Sequence, residues 1–171
     1  MRISAVHIST GDAPNSQYVT AIAPRAAKLV REQCGSLPHA LHLILNGDSR
    51  QLDNLANTAE TQLLPGTSPA ARPDRQPHAA TGKTTLDHEG VLIILQIAGK
   101  RSEQDIAEAL VHQLVHAHQL GDRAARSLHF KYLKHVWGQQ PMKPITLSAY
   151  ELLIDQREIE ANGAEGLAAQ L

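Results

Sequence analysis

The chain has 171 residues, a mass of 18.6 kDa, a formal net charge of -1 and a sequence pI near 6.8. That length suits one globular domain with a proper core, and the near-neutral charge argues against whole-chain electrostatic binding to nucleic acid. A single cysteine, Cys34, excludes an intramolecular disulfide and any multi-cysteine metal site. The composition is unusual in its ten histidines; a metal, if bound, must therefore be held by His and carboxylates.

In chain order, Ile3 to Ile8 reads as a short opening strand. Val19, Ile22, Ala26, Leu29 and Val30 then show helical spacing from about Tyr18 to Cys34. Pro24 predicts that this helix starts there or is kinked, and Gly35 followed by Pro38 is a good stop. Ala40 to Leu45 reads as a second strand, and Ser49 caps a short helix through Leu55. Residues 57–88, with Pro65, Pro69, Pro73 and Pro77, keep no apolar period and are expected to be a long flexible loop over the site. Gly90 to Ile97 reads as a buried strand. Ser102 with Asp105 predicts an N-cap for a helix to about Leu120. Arg123 to Trp137 predicts another helix, and Ser148 with Glu151 a capping box for a last one, stopped by Asn162-Gly163. The expected fold is α+β: a single domain over 1–171, with a short mixed sheet packed on a metal-binding helix and further helices. No segment here has the length or apolarity of a membrane span; Val91 to Leu95 is the longest apolar run. No membrane partner, no signal peptide and a cytoplasmic setting are expected.

The informative segment is Ala109 to His118. His112 and His116 are four residues apart, so on a helix they project side by side and can occupy two positions on one Zn²⁺. Ile106, Ala107, Leu110, Val111 and Leu114 make an apolar stripe, and His112, His116 and Glu108 fall on the other side. In metallopeptidases this pair is written H-E-x-x-H, with the Glu as general base; here that position holds Gln113. A third ligand must come from elsewhere. Gln119 and Asp122 break the H-x-x-x-H-x-x-G-x-x-H spacing, which leaves Glu151, Asp155 and Glu158 on one helical face. Glu158 is the first choice and Asp155 the second; taken alone, the three also read as a solvated acidic face. Tyr150 or His118 is a candidate for stabilising an oxyanion, and a hydrogen-bonded core histidine is the plainer reading of His118. The basic stretch carrying Arg123, Arg126, His129, Lys131, Lys134 and His135 reads first as a solvated face and second as a grip on an acidic substrate. Thr81-Gly82-Lys83-Thr84 superficially suggests a phosphate loop but lacks the strand before it and the helix after it.

His112-Gln113-Leu-Val-His116-Ala117, Gly121 soon after, and Glu158-x-x-x-Asn162-Gly163 together resemble the gluzincin pattern. Within it, the nearest likenesses are the type III secreted zinc endopeptidase effectors of bacteria and the IrrE/ImmA-like peptidases. The resemblance spans residues 110–163 and implies a zincin-like fold and one Zn²⁺. His112, His116 and Glu158 would be its ligands, and the reaction would be hydrolysis of a peptide bond in a protein substrate. If the likeness to effectors extends to biology, it also implies secretion into a host cell. The departure is Gln113, since a neutral amide cannot take a proton from water. The first explanation is an engineered substitution, since Glu→Gln at this position is the minimal change that silences a peptidase while keeping its shape. The alternative is a natural pseudoprotease that keeps zinc and binds proteins or peptides without cleaving them. Glu108, one turn before His112, is a remote alternative as a substitute base. Residues 90–97 are expected to offer the strand edge that aligns an extended peptide.

Overall fold

A computed structural model describes residues 2–8, 13–48, 51–67, 81–99 and 101–171, with side chains from residue 14 onward. The fold is α+β, as expected. Four strands, β1 (Arg2–Ile8), β2 (Ala40–Asn46), β3 (Gly82–Leu86) and β4 (Val91–Gln96), form one mixed sheet in the order β1-β2-β4-β3. The first three of that spatial order run parallel, with Leu43 opposite Ala5 and Ile93, while β3 runs antiparallel to β4, Thr84 opposite Ile93.

Alternation along the strands decides what each face buries. Leu41, Leu43, Leu45, Val91, Ile93 and Leu95 pack against α1 (Ala13–Cys34) and α3 (Glu103–Gln119) through Val19, Ile22, Ala26, Ile106, Leu110 and Leu114. Leu92 and Ile94 face the other way, onto Leu52, Ala56 and Ala59 of α2 (Leu52–Leu63). Covered on both faces, β4 is apolar at every position up to Gln96, which is why its run does not alternate. Leu110 sits at the centre with no exposed surface. Leu110→Ala is expected to cost about 2–5 kcal/mol of unfolding free energy, read from urea denaturation.

Local chemistry explains the ends of the elements. Ser102 caps α3: its hydroxyl accepts from the Asp105 N–H, and the Asp105 carboxylate accepts from the Ser102 N–H. Gly35 closes α1 at φ +116°, and its N–H reaches the Arg31 carbonyl at 3.1 Å. The helix does not start at Pro24. It begins eleven residues earlier in the chain and passes through that proline, whose ring lies on the exposed side.

The segment 57–88 is not one loop. Its first part completes α2 and residues 82–86 form β3, while residues 68–80 lie outside those described. β3 therefore takes the edge position expected of residues 90–97, and β4 is an inner strand between β2 and β3. After α4 (Arg123–Val136), α5 runs from Pro144 to Ala164. It opens on Pro144, whose fixed φ suits a first helical position, so Ser148 and Glu151 lie inside it rather than forming a cap. Asn162-Gly163 does not stop it either; the chain continues into a 3₁₀ segment, Glu165–Gln170, anchored by buried Ala161 and Ala168. Among the described residues, no helix is long and apolar enough to cross a membrane.

Candidate metal centre

α3 lays its apolar stripe against the sheet and α1, which turns His112 and His116 toward a cavity of about 840 Å³. Their Nε2 atoms lie 3.0 Å apart. Glu158 on α5 brings its carboxylate to 3.3 Å from Nε2 of His116 and 3.5 Å from Nε2 of His112. Zn–N and Zn–O bonds of about 2.0–2.1 Å in a tetrahedron set neighbouring ligand atoms about 3.3 Å apart. The three residues match that spacing, and among the described residues they are the one group of His, Cys, Asp or Glu close enough to share an ion. Asp155 and Glu151 line the same cavity but are not in that group.

The other ring nitrogens decide what the centre can bind. Nδ1 of His112 donates to the Glu165 carboxylate at 2.9 Å, and Nδ1 of His116 donates to Oε1 of Gln119 at 2.8 Å. The Gln119 amide is oriented by its own Nε2, which donates to the Arg157 carbonyl and to Glu160, each at 3.1 Å. Both imidazoles thus carry their proton on Nδ1. Their Nε2 lone pairs point at one another and at a carboxylate, an arrangement satisfied only by a cation or an added proton. Carboxylate and amide partners behind metal-binding histidines fix tautomer and ring angle. Glu165→Ala is accordingly expected to weaken metal affinity about 10- to 100-fold with α3 intact, measured by competition with a chromophoric chelator.

Charge in the cluster follows the same logic. Hydrogen bonding to His112, then to His116, holds the Glu158 carboxyl far below the usual carboxylate range, against the opposing effect of burial. Glu158 first and Glu165 second raise the His112 pKa above its ordinary 6.5, with burial again opposing. In metal-free protein the histidine contribution to stability is complete below its unfolded pKa and is lost as pH rises through the raised one. The Glu158 contribution is present above its ordinary 4.5 and is lost as pH falls toward its lowered value. A cation must displace the His112 proton, so metal affinity is expected to rise about tenfold per pH unit below the raised pKa and then to level off. A Co²⁺ titration followed by absorbance between about pH 5.5 and about pH 8.5 reads this directly.

Gln113 lies beside the histidines and forms part of the cavity wall with β3. The Thr84 hydroxyl lies 2.9 Å from its side-chain oxygen and 3.1 Å from its main-chain oxygen. Gly82 is required where the two elements meet: a Cβ there would come within 2.8 Å of Gln113 Cγ and 3.0 Å of the Ile94 carbonyl. The amide is 5% exposed and can orient a neighbour, but it has no basic site.

Tyr150 is in the cavity, 2% exposed, and its hydroxyl is 2.6 Å from Nδ1 of His129. Burial pushes its pKa up to about 12, so it keeps its proton and remains a donor at neutral pH. His118 is elsewhere: its Nδ1 donates to the Ser36 carbonyl at 2.8 Å, beside Gly35, in keeping with a hydrogen-bonded structural role. Glu108 accepts from Gln104 at 2.8 Å and does not line the cavity. Much of the basic stretch is occupied locally. Arg126 binds the carbonyls that end α3, and Lys134 lies 4.9 Å over the Phe130 ring.

Three more residues complete the wall; of these Glu60 carried no sequence signal, and His129 belongs to the stretch read as a basic face. Glu60 of α2 is a buried carboxylate held by the Trp137 indole N–H at 2.8 Å and the Thr85 hydroxyl at 3.2 Å. His129 and Tyr132 face it from α4 across the same cavity, with the Tyr132 and Tyr150 rings 4.8 Å apart. Gln119 and Glu165 differ in legibility. Gln119 is three residues after His116 and so within its reach on one helix, whereas Glu165 is 53 residues from His112 and only the tertiary fold joins them. No protein-family model, no curated protein and no solved structure matches this chain.

Proposed function

We propose that the protein is a gluzincin-type zinc metalloendopeptidase whose general-base position is filled by Gln113. The observation that carries this reading is the convergence of the His112 and His116 Nε2 lone pairs and the Glu158 carboxylate at 3.0–3.5 Å, with both Nδ1 atoms already bonded behind them. Zn²⁺ bound there would supply a Lewis acid that polarises a peptide carbonyl and lowers the pKa of water.

The rest is the work of the chain. The outer edge of β3 offers backbone groups to an extended peptide, which would run past His112 and residue 113. Tyr150 lines the same space, and with Nδ1–H of His129 donating to its oxygen its own O–H is left to bond an oxygen that gains negative charge. A glutamate at position 113 would take the water proton and pass it to the departing amine. The glutamine present can hold water or a carbonyl in place and do no more.

A second reading rests on how well Gln113 fits: buried, accepting from Thr84, and opposite a glycine that makes room for it. Such a residue suits a zinc-containing module that binds a protein or peptide without cleaving it. Zinc-loaded Gln113→Glu protein, assayed against a broad peptide library, separates the two. Cleavage supports the peptidase, and a zinc-loaded, folded, inactive variant supports the binding module.

A further inference from the structure

Among the described residues, three large apolar side chains stand exposed, and all three are on α5: Ile145, Leu152 and Ile159 at 80%, 70% and 72%. Single exposed apolar residues are ordinary. These are seven apart, two turns each, and so form one ridge about 21 Å long on the outer side of the helix. An acidic row runs beside the ridge. Glu151, Asp155 and Glu158 recur at helical spacing and face the cavity. Glu158 is taken up by the histidines, whereas Glu151 and Asp155 are in no ion pair among the described residues. The arginine of α5 does not offset them, because Arg157 turns inward to the Gln119 carbonyl at 3.0 Å.

We infer that this ridge, with Glu151 and Asp155 along its flank, docks a basic amphipathic helix of a protein partner. Its apolar residues would lie on Ile145, Leu152 and Ile159, and its Lys or Arg side chains on the two free carboxylates. Charge selects this occupant. Two copies of α5 packed antiparallel about Leu152 would align the ridges but set the Glu151 of one copy beside that of the other, and α5 itself offers no lysine between Pro144 and Ala164 to offset them. An anionic membrane surface is repelled by the same row. Spacing selects the conformation, since apolar contacts two turns apart fit a helix alongside α5, while an extended segment has its place on β3. That the docked protein is the substrate rests on the metallopeptidase reading; the docking itself does not.

The test uses a fluorescein-labelled peptide of three heptads with leucine at the first and fourth positions and lysine on the flanks, and a control with glutamate for lysine. Binding is followed by anisotropy at low and physiological salt. The lysine peptide is expected to bind more tightly at low salt. Leu152→Asp and the double change Glu151→Lys with Asp155→Lys should each weaken it about tenfold or more, and the glutamate peptide should not bind. All three positions are exposed, and near-UV circular dichroism checks the fold. Unchanged binding by Leu152→Asp, equal binding of the glutamate peptide, or a wild-type dimer that Leu152→Asp dissociates in sedimentation would each overturn the proposal. Zinc content is measured on the same preparations. Variant-sensitive peptide binding without zinc supports docking and removes the metallopeptidase reading; zinc without peptide binding does the reverse.

Discussion

Zinc-replete purification is expected to yield one zinc per chain, and His112→Ala to yield none, by elemental analysis of protein exchanged into metal-free buffer. The expected effect is large because the proposed ligands are already held in place. His112 is held by Glu165 and His116 by Gln119, so little ordering remains to oppose binding. Removing one ring takes a ligand and leaves Glu165 without its partner. Metal at about 100 times its dissociation constant should stabilise the wild type by about 2.7 kcal/mol and the variant hardly at all, so heating with and without zinc gives an independent reading. Wild-type protein that stays zinc-free at stoichiometric excess would remove the metal centre, and with it the peptidase.

The second large effect is expected at position 113. Gln113→Glu should raise peptide hydrolysis by the zinc-loaded protein about 10²- to 10⁴-fold, the usual worth of a positioned general base. The exchange is nearly isosteric, and the Thr84 hydroxyl that bonds the amide oxygen can bond a carboxylate oxygen equally well. Little change in fold or zinc content should accompany it. A variant that binds zinc and stays inactive would place the protein among binding modules. A wild type already as active as the variant would show that Gln113 is not at the base position.

Where sequence reasoning reached the structure, a local rule was at work. The Ser102–Asp105 cap, the His112–His116 pair and the unbroken apolar run of β4 each follow from spacing within one element. Glu158, Asp155 and Glu151 can be ranked but not separated from spacing, because all three share a helical face and only packing of α5 on α3 decides which one reaches the rings. The misses have a common cause as well. β3 is only five residues, Gly-Lys-Thr-Thr-Leu, too short and too polar to show a period, and it is a strand because β4 pairs with it. Asn162-Gly163 is a local stop signal that α5 overrides, because Ala161 and Ala168 dock on the core. Glu165 lies beyond that stop signal, where nothing local links it to His112. Glu60 was hidden inside a segment whose prolines suggested a loop.

The contact between Gly82 and Gln113 ties two distant positions to one another. The long side chain at residue 113 fits because residue 82 has none, so a Cβ at 82 and a side chain of this length at 113 exclude one another. Gly82→Ala should be costly in this background and much milder once position 113 is shortened to alanine, a non-additivity that a double-mutant cycle measures. Over evolutionary time such a pair drifts together. Whatever acid or amide occupies position 113 in related chains, the edge strand is expected to keep its glycine for as long as that side chain reaches across to Thr84.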